Sequence, residues 1–212
     1  MNIHLKHIIP SPLKELPLED SQIWRRDISF ESAKQHLIYA PSGKGKTSLL
    51  HILYGLRKDY TGQVLIDGNN INNLDHKAWI KLRRNHISLV PQGLWLFEKL
   101  SGTDNIRIKN RLTDHLSEGD IQEYLKICGM AEHQHKPAGI LSFGQKQRIA
   151  IIRALCQPFD FIFMDEAFSH LDANNADIIF DLVKSRAEAQ NAGIILTSLA
   201  SFPDGFDKIL KL

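Results

Sequence analysis

Eight consecutive residues, Ala40-Pro41-Ser42-Gly43-Lys44-Gly45-Lys46-Thr47, concentrate more chemistry than any other stretch of the chain. They follow a short apolar run at 36–40 and lead into a segment whose apolar positions Leu49, Leu50, Ile52 and Leu53 share one helical face. A Gly-rich turn between strand and helix points successive backbone N–H groups inward. With the helix N-terminus behind them, these form a cradle for phosphate oxygens. In such a cradle Lys46 neutralises phosphate charge, the Thr47 hydroxyl is a ligand for Mg²⁺, and Pro41, Ser42, Gly43, Lys44, Gly45 and Ser48 complete the wall. Ala40 stands where the pattern asks for Gly. A positive φ at that position would cost an Ala on the order of 1 kcal/mol. An ordinary Gly-rich turn is the competing reading.

A second apolar run ends in acid: Phe161-Ile162-Phe163-Met164-Asp165-Glu166. Beside a phosphate cradle, Asp165 would hold the metal through water and Glu166 would polarise an attacking water. Alone, the segment reads equally well as a buried strand emerging into a solvated acidic pair.

The elements that must position these groups follow from periodicity. Short apolar runs at 36–40, 64–67, 86–90, 161–165 and 193–198 read as buried strands. Helical spacing appears after Lys46, after Gln145 (Ile149, Ile152, Leu155) and after Asp172 (Ile178, Ile179, Leu182, Val183). Strands alternating with helices predict an α/β fold with a mostly parallel sheet. Residues 61–68 carry Gly near both ends of a short alternating run and predict a hairpin in a small antiparallel layer. Residues of about 94–140 show no strand signal and are expected to form a helical subdomain inserted in the α/β core of one domain, 1–212.

Composition excludes several partners. The chain has 212 residues and a formal charge of +2, without the basic stripe of a nucleic-acid binder, so no nucleic acid is expected. Its two cysteines, Cys128 and Cys156, have neither metal-ligand spacing nor the density of a disulfide scaffold, which fits a reducing, cytoplasmic compartment. Residues 1–17 lack the apolar core of a signal peptide, and no apolar run approaches the roughly 20 residues of a membrane span. His133 and His135 have no third ligand in reach and read as a solvated loop. Lys81, Arg83 and Arg84 read as the solvated face of a helix.

Leu141-Ser142-Phe143-Gly144-Gln145 gives the pattern a family. It resembles the signature loop Leu-Ser-Gly-Gly-Gln of the ATP-binding cassette family, and further resemblances follow in family order: Val90-Pro91-Gln92 is similar to the Q-loop and Ser169-His170-Leu171-Asp172 to the D-loop. The resemblance implies a P-loop NTPase core with a small antiparallel layer and an inserted helical subdomain. It implies binding of ATP and Mg²⁺, with Gln92 near the metal and the attacking water, and Ser142, Gly144 and Gln145 meeting the γ-phosphate of ATP held by the other subunit of a dimer. Asp172 is expected to cross that dimer interface. The second cassette would be an identical or a different chain, and a separate transmembrane permease would be driven from the cytoplasmic face of the inner membrane.

Two departures qualify the resemblance. The family's switch histidine is replaced by Ser198, and loss of one such charge-stabilising donor costs roughly 10²- to 10³-fold in rate in other enzymes. Residues 5–16 contain none of the aromatics that stack on adenine in the family; His7 and Trp24 are the nearest substitutes. Downstream of Gln92, Trp95 and Phe97 have two readings: an exposed docking patch for the permease, or core of the helical subdomain. Three functions stay open: transport-coupled ATP hydrolysis, a hydrolysis-impaired nucleotide-binding partner, and a soluble cassette outside transport.

Overall fold

A computed structural model describes residues 1–199 and 205–212. The chain opens with β1 (Asn2–Pro10), β2 (Asp27–Glu31) and β3 (Gln35–Tyr39), followed by helix α1 (Lys46–Leu53), β4 (Tyr60–Ile66), β5 (Asn69–Asn70), α2 (His76–Asn85) and β6 (Ile87–Val90). Next come α3 (Gly102–Asn110), α4 (Glu118–Ile127), α5 (Phe143–Leu155), β7 (Phe161–Asp165), α6 (Ala173–Ala189), β8 (Gly193–Ser198) and β9 (Lys208–Lys211).

The strands form two sheets. The larger has the order β6-β7-β8-β3-β9, parallel throughout; the smaller has the order β2-β1-β4-β5, antiparallel throughout. Alternation along β7 shows why the larger sheet lies in the centre. Phe161 and Phe163 join one apolar cluster with α1 and β1, while Ile162 and Met164 join a second with α5 and α6. A strand buried on both faces is apolar at every position, which is the continuous run seen in the sequence.

The expected hairpin at 61–68 is one edge of a larger construction. β4 does turn back into β5 through Asp67 and Gly68, but its main partner is β1, paired from Ile3 with Ile66 to Pro10 with Tyr60. The pairing slips between Lys6 and Ile9, and β1 is broken there by the exposed pair Lys6-His7 and a bulge, so its alternation is obscured in the sequence. β2 and β9 carry no continuous apolar run: Asp27, Ser29 and Glu31 alternate with Ile28 and Phe30, and Lys208 and Lys211 bracket Ile209 and Leu210.

Helices α3 and α4 lie between β6 and α5, with Ile106, Ile121, Tyr124 and Leu125 packed into the second cluster. Each begins on a serine cap, Ser101 and Ser117, and Ser117 forms a reciprocal capping box with Asp120. Ile178 departs from the expected apolar face of α6 and is exposed. No helix among the described residues is long and apolar enough to cross a membrane.

Candidate active site

The C-terminal ends of β3, β7 and β8 converge on the loop before α1. β3 ends at Tyr39, and Ala40 N donates to Ser198 O at 3.1 Å, tying the start of the loop to the end of β8. Ala40 does not occupy the left-handed region, so the expected conformational cost does not arise. The positive φ angles fall at Gly43 (80°) and Gly45 (96°). Gly45 is also constrained from below: a Cβ there would lie 2.6 Å from the Leu13 side chain and 2.9 Å from the Trp24 ring. Trp24 is buried and its Nε1 donates to Lys44 O at 3.0 Å. It supports the loop from beneath, which rules it out as the surface on which a base stacks.

Lys46, only 4% exposed, is the hub of the site. Its Nζ donates to Ala40 O at 2.6 Å and Pro41 O at 3.1 Å and pairs with Glu166 Oε1 at 3.2 Å. Glu166 has φ of 51°, held there by its N–H donating to both the carbonyl and the hydroxyl of Thr197 at 3.2 Å. A non-Gly residue in that region costs on the order of 1–2 kcal/mol, a strain found where a fold fixes a functional side chain. Gln92 bridges the remaining groups, donating to Glu166 Oε2 and accepting from Thr47 Oγ1, each at 3.4 Å.

Asp165 sits behind this row. Thr197 Oγ1 donates to its Oδ1 at 2.8 Å, while Oδ2 is buried without a hydrogen-bond partner. Burial pushes the Asp165 carboxyl up, and the nearby Thr47 and Thr197 hydroxyls pull the other way. An orphaned carboxylate oxygen beside a threonine hydroxyl and an amide oxygen is an all-oxygen donor set suited to a hard cation such as Mg²⁺.

Pro12, Leu13, Ser42, Gly43, Gly45, Lys46, Thr47, Ser48, Gln92 and Glu166 line one pocket of about 200 Å³. Pro12 and Leu13 supply its apolar side, where residues 5–16 offered no aromatic. His7 is exposed and directed at Arg25 O and Asp27. Ser198 and Glu166 share an adjoining cavity with Phe168, Ser169 and Thr197.

Ser142, Gly144, Gln145 and Asp172 do not line the phosphate pocket. Ser142 caps α5 and exchanges hydrogen bonds with Gln145, whose N–H donates to Ser142 Oγ at 3.2 Å and whose Oε1 accepts from Ser142 N at 3.0 Å. Gly144 allows close approach to the loop ahead of α6: a Cβ would lie 2.9 Å from His170 O. The Phe143 ring packs on His170 with centroids 4.3 Å apart, so the large side chain at the third signature position turns aside without blocking the helix end. Asp172 caps α6, and its hydrogen bonds from Asn175 hold its carboxyl below the usual range.

Sequence reasoning missed Thr197 and Gln147. Buried Gln147 donates to Glu166 O at 3.4 Å and Ser169 Oγ at 3.2 Å, linking α5 to the turn after β7. A polar residue inside the apolar face of α5 was the available signal.

Trp95 (52%) and Phe97 (58%) are exposed and do not fill the core. With Tyr54, Pro91, Ile108 and Leu112 they line a groove of about 300 Å³. Leu94 and Trp95 both have positive φ, and Arg153 holds them by donating to both carbonyls, to Trp95 O at 2.7 Å. Buried Asn105 fixes the following segment by accepting from Phe97 N and donating to Phe97 O.

Residues 25–169 match the family model described as ABC transporter. The chain belongs to this family. This cassette is 33% identical over 180 residues to the lipoprotein-releasing system ATP-binding protein LolD of Buchnera aphidicola, covering 84% of this chain and 76% of that one. It is 30% identical over 177 residues to an ABC transporter ATP-binding protein of Thermotoga maritima, covering 81% and 76%. Among solved structures, the dimer of MJ0796, a bacterial ABC transporter cassette, superposes with a TM-score of 0.79 at 25% identity, covering 93% of this chain and 88% of that one. The cassette is an ATP-binding subunit of the kind that pairs with a membrane permease.

Proposed function

We propose that this cassette binds Mg-ATP in the pocket around Lys46, that a second cassette completes the site, and that hydrolysis within it is slow. The observation that carries this reading is the row Lys46–Glu166–Gln92–Thr47, in which a cation, a carboxylate, an amide and a hydroxyl line one wall of a Gly-rich pocket. Thr47 and Asp165, with Gln92 alongside, would hold Mg²⁺, which when bound neutralises phosphate charge. Pro41 to Ser48 would hold the phosphates through the loop N–H groups and Lys46. Glu166, released from Lys46 by an arriving phosphate, would orient the attacking water or take its proton.

Ser142, Gly144 and Gln145 lie outside this pocket, which supports their serving a site on another copy or a related chain, with Asp172 beside them. The dimeric solved relative favours the same arrangement. Ser198 supports slow turnover: its hydroxyl is shorter than an imidazole and stays neutral. The groove at Trp95 and Phe97 is read as the permease-docking surface, with residues of about 94–140 as the helical subdomain of a single domain. The subunit would then sit peripherally on the cytoplasmic face of the membrane. Likeness to proteins named for lipoprotein release supports a lipoprotein- or peptide-handling exporter.

Phosphate release by purified wild type, with Glu166→Gln as the blank, tests the catalytic reading. Slow release above the blank is the expected result. Wild-type release indistinguishable from Glu166→Gln would favour a purely nucleotide-binding partner, for which the substitution at Ser198 already argues.

A further inference from the structure

Arg57 belongs to none of the motifs, yet it touches the wall of the nucleotide pocket. It lies between α1 and β4, and its Nε and Nη2 donate to the two carboxylate oxygens of Asp59, each at 2.8 Å. Its remaining fork arm, Nη1, donates to Ser48 Oγ at 2.8 Å. A guanidinium has donors only, so Ser48 Oγ must accept. The hydroxyl's own hydrogen is then available to a third group. Ser48 lines the pocket with Lys46 and Thr47, so a group bound there can accept that hydrogen.

Asp59 serves a second purpose. Its carbonyl accepts from Ser11 N at 2.8 Å, and Ser11 begins the short turn that carries Pro12 and Leu13. One acidic residue thus ties the apolar side of the pocket to the guanidinium that holds Ser48. Glu166 and Gln92 belong to the other side, reached through Thr47 and Lys46. Arg57 hydrogen bonds keep the Asp59 carboxyl below the usual range, so the clamp stays ionised at neutral pH.

We propose that Arg57 is a positioning residue for nucleotide: clamped by Asp59, it fixes the Ser48 hydroxyl as a donor to the phosphate farthest from Glu166. The proposal rests on the ATP-binding reading and deepens it. Because the contacted phosphate is present in ADP as well as ATP, Arg57 sets affinity for both and leaves the hydrolytic step alone.

The experiment is equilibrium titration of ATP and of ADP, separately, against wild type, Arg57→Ala, Ser48→Ala and the double variant, each first shown to unfold cooperatively. Removing a charge-assisted hydrogen bond predicts about tenfold weaker binding of both nucleotides by Arg57→Ala. The double variant should bind no worse than Ser48→Ala. Asp59→Asn, which keeps the guanidinium but loosens its clamp, should shift both affinities the same way by less. Multiplying losses in the double variant, a loss confined to ATP, or unchanged affinity in Arg57→Ala would overturn the proposal while wild-type binding persists. A wild type that binds neither nucleotide would remove the ATP reading, and this one with it.

Discussion

Lys46 and Glu166 form a nearly buried ion pair, Nζ to Oε1 3.2 Å, in which the side chains proposed to meet phosphate and water hold one another. Breaking such a pair on one side leaves a charge without its counterion, at a cost of about 3–5 kcal/mol, whereas neutralising both sides costs much less. Lys46→Met is therefore expected to lose about 3 kcal/mol of stability in urea unfolding, and Lys46→Met with Glu166→Gln to recover most of it. A double variant as unstable as the sum of the singles would show that the two residues do not act as a pair.

Restoring an imidazole at the end of β8 should restore rate. Ser198 shares a cavity with Glu166, so Ser198→His places a donor where charge develops. An increase in ATP turnover of roughly 10²-fold, with KM little changed, is expected. Unchanged turnover in a folded variant would mean that Ser198 does not limit hydrolysis.

The groove beside Trp95 makes a separable prediction. An exposed aromatic on a backbone held by Arg153 and Asn105 is a rigid anchor, and truncating such an anchor typically costs about 2 kcal/mol of association. Trp95→Ala should reduce co-purification of a membrane permease while ATP affinity stays at the wild-type value. Loss of nucleotide binding in parallel would instead point to a role in folding.

Stability should fall as the solution is acidified below about pH 6.5. His36, His51 and His115 all have their pKa lowered, chiefly by burial. The neutral forms are favoured in the folded chain, so the unfolded chain takes up protons first as pH drops. Their contribution is intact above the unfolded value and is lost as pH descends through it toward the folded values. Denaturant midpoints between pH 8 and 5.5 would measure the slope, and His36→Phe should flatten it.

Much of this was readable before the fold was known, because backbone chemistry dictates it. Gly43 and Gly45 adopt positive φ, and Asp165 ends a strand buried on both faces. What escaped was set by contacts distant in sequence. Thr197 became part of the site because β8 lies beside β7 and brings its hydroxyl to Asp165. Trp24 looked like a spare aromatic until packing put it under Gly45. β1 was hidden by its bulge and by polar residues on its open face. The two readings of Trp95 and Phe97 could be separated only by exposure, since a docking patch and a core patch have the same composition.

The indole beneath the phosphate loop makes the protein its own optical gauge. Of three tryptophans, only Trp24 is both buried and hydrogen-bonded to the loop, through Lys44 O. A ligand that rearranges that loop would alter the polarity and bonding around one chromophore, and intrinsic emission would report it with no label required.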